Sequence, residues 1–122
     1  MRTFAVATLL GAALLLQGAA GAGAHAFLDR ADPRVGSTVR TPPIQVRLWF
    51  TQELEPAFSN AQVVNAAGQR IDKEDSQVDG SDRSLLRLSV PSLPPGTYKV
   101  LWRVLSVDTH VTEGDFTFQV AP

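Results

Sequence analysis

The sequence predicts an all-β domain, a Greek-key sandwich of about seven strands. Proline and glycine punctuate short runs in which apolar and polar residues alternate with period two. No stretch of ten or more residues carries helical periodicity, and no repeat or linker divides the chain. Taken in order, His25 to Ala31 reads as the first strand. In Ile44 to Phe50 the apolar set Ile44, Val46, Leu48 and Phe50 falls on one face. Thr41-Pro42-Pro43 ahead of it cannot be a central strand, because proline has no N–H to give a ladder.

Phe58 to Asn65 reads as the next strand, ended by the turn Asn65-Ala66-Ala67-Gly68. Ile71 to Ser84 is charged and contains glycine, a loop with room for one short edge strand. Ser84 to Val90 alternates again, with Leu86, Leu88 and Val90 inward. Pro94-Pro95-Gly96 turns the chain into Thr97 to Ser106, where Tyr98, Val100, Trp102 and Val104 share a face. The last strand, Asp115 to Val120, sets Phe116, Phe118 and Val120 against the core. Seven short strands of this kind are the usual complement of an immunoglobulin-like sandwich.

Ahead of the domain, residues 1–24 read as a secretory signal. Arg2 supplies the positive start, Phe4 to Leu16 the apolar core, and Ala22-Gly23-Ala24 a small-x-small cleavage site. Cleavage leaves 98 of the 122 residues, enough for one small domain spanning 25–122. Gln17 and the glycine–alanine run behind the apolar core fit cleavage better than retention as an anchor. The expected product is soluble, exported and not inserted in a membrane.

Composition removes several function classes. The chain has 11 basic and 12 acidic side chains; loss of Arg2 leaves 10 and 12, a formal charge of −2. Nucleic-acid binding would need a clustered basic face, and none is evident. There is no cysteine, which excludes thiolate metal sites, and the one methionine is Met1, which leaves with the signal.

The two histidines are the chemistry that remains. Cleavage after Ala24 gives His25 a free α-amine beside its own imidazole, a pair able to chelate a metal. Asp108 and His110 flank Thr109; in an extended segment their side chains would point the same way and could share one ion. One amine, two imidazoles and one carboxylate suit Cu(II), which heads the divalent affinity order. Zn(II) could use the imidazoles and the carboxylate. Calcium and magnesium prefer all-oxygen shells. The bland reading of Asp108-Thr109-His110 is a surface turn closed by side-chain hydrogen bonds.

The residues resemble the CopC family of periplasmic copper-binding proteins. The resemblance is carried by His25-Ala26-Phe27-Leu28, Ala31-Asp32-Pro33, Val46 to Thr51, Pro95 to Val104, Ser106 to His110 and Gly114 to Val120, so it runs the length of the mature chain. It implies an immunoglobulin-like or cupredoxin-like sandwich that binds one Cu(II) ion through His25, Asp108 and His110. It implies a carrier or buffer serving copper resistance, homeostasis or uptake, and partners such as an inner-membrane copper transporter or a periplasmic multicopper oxidase. The family's methionine-rich Cu(I) loop has no counterpart here. Where the family often carries an acid after the Phe-Ser/Thr pair, this chain has Gln52, with Glu53 and Glu55 nearby. Two other functions fit the same residues: a metal-free immunoglobulin-like interaction module, and an oxidative copper enzyme built on an N-terminal histidine chelate. The small domain and the extra carboxylate ligand weigh against the enzyme.

Overall fold

The computed structural model describes residues 25–122; the secretory segment read at residues 1–24 lies outside the described residues. Among the described residues, eight strands form two four-stranded sheets facing each other. They are β1 (Leu28–Asp32), β2 (Thr38–Val39), β3 (Gln45–Phe50), β4 (Asn60–Val64), β5 (Gln77–Val78), β6 (Leu85–Ser89), β7 (Gly96–Leu105) and β8 (Val111–Val120). One sheet runs β1-β3-β6-β5 and the other β2-β8-β7-β4. Apart from β2, which pairs parallel to β8, neighbouring strands are antiparallel.

The alternation read in the sequence is the alternation that builds the core. Val46, Leu48 and Phe50 from β3, Leu86 and Leu88 from β6, and Val100 and Val104 from β7 are all buried. Phe118 of β8 is fully enclosed and stacks on Tyr98 at 5.6 Å between ring centroids. The Tyr98 hydroxyl donates to the Pro94 carbonyl at 2.5 Å, tying the Pro94-Pro95-Gly96 turn to the strand it opens. Asn65 closes the β4 turn, its side-chain oxygen accepting from Ala67 and Gln69 N–H while Gly68 takes the left-handed conformation at φ +80°.

Four details depart from the sequence reading. β2 adds an eighth strand, too short at two residues to show a period. β1 starts at Leu28 rather than His25. Ile44 lies before β3 and is 82% exposed, so it is not part of the apolar face. β8 begins at Val111, four residues before the expected start, and its first half pairs with β7 from Leu105 to Trp102.

That first half explains a glycine. Gly114 sits opposite Trp102, and a β-carbon at 114 would lie 2.6 Å from the indole Cζ2. The indole in turn meets the Phe50 ring edge-to-face at 5.1 Å, so it has little freedom to retreat. Gly114→Ala is expected to lower the stability by about 1–3 kcal/mol, the usual cost of overpacking. Urea midpoints of the two proteins measure it, and equal midpoints would show that the indole moves aside freely.

The loop read at Ile71 to Ser84 contains the short edge strand, β5, and also a buried carboxylate. Asp72 accepts from Val63 N–H at 2.8 Å, from Glu74 N–H at 3.0 Å and from Arg70 through two nitrogens at 3.0 Å each. Its side chain is wholly enclosed, and it fastens the loop to β4.

Candidate metal centre

Residues 25–27 lie beyond the last β1–β3 register pair, Leu28 with Phe50, and are held at one end of the sandwich by two threonines. Thr51 N–H donates to Phe27 O at 2.9 Å, and Phe27 N–H donates to Thr51 Oγ1 at 3.0 Å. The same hydroxyl donates to His25 O at 3.4 Å. From the other sheet, Thr112 Oγ1 donates to Ala26 O at 2.6 Å. Ala26 is fully buried.

At the same end the β7–β8 hairpin turns through Ser106 to His110. Thr109 N–H donates to Ser106 O at 2.9 Å and Ser106 N–H to His110 O at 3.0 Å. Thr109 has φ +74°. This is the three-residue hairpin loop whose third residue is left-handed, here a β-branched residue where glycine or asparagine is usual. The Asp108-Thr109-His110 segment is therefore a turn, not the extended stretch on which the sequence argument for shared side-chain direction rested. Val107 N–H donates to Glu53 O at 3.1 Å and Glu55 N–H to Leu105 O at 2.8 Å, so the Gln52 to Glu55 segment braces the turn through its backbone.

The turn nevertheless brings the predicted residues together. The His25 and His110 rings meet edge-to-face with centroids 4.4 Å apart. His110 Nδ1 lies 3.4 Å from Asp108 Oδ1. The same oxygen accepts from the hydroxyl of Ser106, a residue buried completely. That hydroxyl is the largest influence and holds the Asp108 carboxyl below the usual carboxylate range; desolvation opposes it, and the His110 side chain adds to the lowering. Asp108 is thus anionic at any neutral pH.

Among the described residues, no three His, Cys, Asp or Glu side chains already stand arranged around a metal position. The contacts are pairwise, His25 with His110 and His110 with Asp108. His25 Nδ1 is buried and has no hydrogen-bond partner. An unmet buried nitrogen is costly in a metal-free chain and offers its lone pair to a cation. The donor set of nitrogen and carboxylate oxygen fits Cu(II). Phe27, 6.0 Å from the His25 ring, Val107 on the turn and Val111 at the start of β8 leave apolar surface exposed at this end of the sandwich.

Comparison with known proteins places the chain in a family. A family model described as the CopC domain matches residues 28–121. The chain belongs to the CopC family. Within the family, it is 33% identical to copper resistance protein C of Pseudomonas syringae pv. tomato over 119 residues, covering 93% of this chain and 92% of that one. It is 35% identical over 98 residues to protein YobA of Escherichia coli K12, covering 80% and 79%. The crystal structure of CopC from Methylosinus trichosporium OB3b superposes with a TM-score of 0.72 at 34% identity, covering 80% of this chain and 95% of that one. The CopC match takes in Thr51, Asp108, His110 and Thr112, and begins three residues after His25.

Sequence reasoning missed Ser106, Thr51 and Thr112 as parts of this centre. Thr112 stood two residues after His110, and Thr51 directly after the β3 core run, but a hydroxyl gives no sign of its partner until the chain is folded.

Proposed function

We propose that the mature chain begins at His25 and binds one Cu(II) ion through the His25 amine and imidazole, the His110 imidazole and the Asp108 carboxylate. The observation that carries this reading is the 4.4 Å contact between two imidazoles drawn from distant parts of the sequence. The unmet His25 Nδ1 and the anionic Asp108 support it, as do the copper-resistance names of relatives such as that of P. syringae.

The role is that of a periplasmic carrier or buffer rather than an enzyme. Four strong donors fill a tetragonal shell. Among the described residues, a depression on the outer face of the second sheet is lined by Asn60, Gln62, Arg103, Glu113 and Asp115 among others, and includes neither histidine. The apolar rim of Phe27, Val107 and Val111 suits hand-over to a protein partner, such as an inner-membrane copper transporter or a periplasmic multicopper oxidase. Export follows from the secretory reading of residues 1–24, and among the described residues no helix is long and apolar enough to cross a membrane.

Because the donors are nitrogen and oxygen only, the protein should bind one Cu(II) tightly and Cu(I) poorly, since Cu(I) selects sulfur. Competition against chelators specific for each oxidation state tests this. Tight Cu(I) binding that survives loss of both histidines would overturn it.

A further inference from the structure

We propose that Thr112, assisted by Thr51, is a positioning residue that sets the distance between the two copper-binding imidazoles; the inference rests on the copper reading above. On β8 the inward positions are Thr112, Gly114, Phe116, Phe118 and Val120. The alternation of the strand asks for an apolar residue at 112, yet a hydroxyl stands there. Its partner is the carbonyl of Ala26, at 2.6 Å, across the interface between the sheets.

This bond has a geometric consequence. Residues 25–27 have left the β1–β3 ladder, and Thr51 ties their backbone to the first sheet through its own N–H and hydroxyl. Thr112 supplies the described side-chain bond that ties them to the second. His110 lies two residues before Thr112 and His25 directly before Ala26. Fixing Ala26 to Thr112 therefore fixes the base of one imidazole relative to the other. The hydroxyl touches neither ring; it acts through the backbone.

The test uses the mature chain starting at His25, with Cu(II) itself as the probe. Thr112→Val keeps the shape of the side chain and removes the hydroxyl, Thr112→Ser keeps the hydroxyl, and His110→Ala removes the distant imidazole. Thr51→Val is a second arm, loosening the same segment from the other sheet. Cu(II) affinity is read by chelator competition, the coordination by electron paramagnetic resonance, and metal-free stability by thermal unfolding.

Thr112→Val should weaken Cu(II) binding roughly 10–100-fold, the range seen when a residue that orients a ligand is lost. Its resonance spectrum should move toward that of His110→Ala. Thr112→Ser should restore affinity to within a few-fold and return the native spectrum, which a purely structural role would not require. Should Thr112→Val not fold, Thr51→Val carries the same expectation in smaller degree. Native affinity and spectrum in both valine variants, with His110→Ala weakened, would overturn the positioning role and leave the copper reading intact. Native affinity in His110→Ala would overturn the copper reading and this inference with it.

Discussion

A protein that keeps one extra residue ahead of His25 should bind Cu(II) at least ~10–100-fold more weakly than one that begins there, since even residues that only orient a ligand contribute that much. The extra residue turns the amine into an amide, whose nitrogen lone pair is delocalised and no longer a ready donor. The chelate ring on His25 then cannot close, although both imidazoles and their 4.4 Å contact are unchanged. His110→Ala should weaken binding comparably. Asp108→Ala should cost less affinity but shift the copper absorption band, because it removes a charged oxygen donor. Gln52→Ala should fall at or below the range for orienting residues. The intact mass of the exported protein checks the premise directly: a product starting at Ala26 or later would leave no chelate to break. Undiminished affinity and an unchanged spectrum in the extended protein would make His25 an ordinary surface histidine.

Asp72→Ala should be among the most destabilising single changes, lowering stability by about 3 kcal/mol at neutral pH. The substitution strips partners from the N–H groups of Val63 and Glu74 and from Arg70, and a buried donor left unmet costs roughly 1–3 kcal/mol. Burial, the largest single influence, pushes the Asp72 carboxyl up; the Arg70 guanidinium and the two backbone N–H groups together outweigh it and hold the carboxyl below its ordinary value of 3.8. A carboxylate depressed in the folded state contributes stability above its unfolded value, and that contribution is lost as pH falls through the folded one. The gap between wild type and Asp72→Ala should therefore be full at pH 7 and narrow below about pH 4. Urea unfolding at several pH values measures it. A gap that stayed constant into acid would mean that the ionised carboxylate contributes nothing.

Much of the fold was legible because burial of one face imposes a period that the residues display. Val46, Leu48 and Phe50, or Phe116, Phe118 and Val120, show it without interruption. The start of β8 was not legible, since Thr112, Glu113 and Gly114 offer no apolar alternation; a threonine and a glycine occupy the inward positions for reasons that lie on other strands. The bland reading of Asp108-Thr109-His110 as a surface turn describes its backbone, but the left-handed conformation of Thr109, a β-branched residue, is one that local preference argues against. Asp72 read as one charge among many in a polar loop, because nothing local announces that Arg70, Val63 and Glu74 will converge on it. The two histidines stood out for a simpler reason. With no cysteine and no methionine after Met1, sulfur donors are gone and the imidazoles are the transition-metal ligands that stand out.

The two sheets each contribute one histidine to the same end of the sandwich, His25 ahead of β1 and His110 ahead of β8. In a domain without disulfides, an ion held by both would act as a removable cross-link between layers that have no covalent tie. Such a link favours the native state by mass action, by ~4 kcal/mol when free metal exceeds the dissociation constant a thousandfold. Cargo and folding are then two readings of one equilibrium. A loaded protein would resist heat and proteolysis until the ion was withdrawn, and the emptied form would be the one cleaved first.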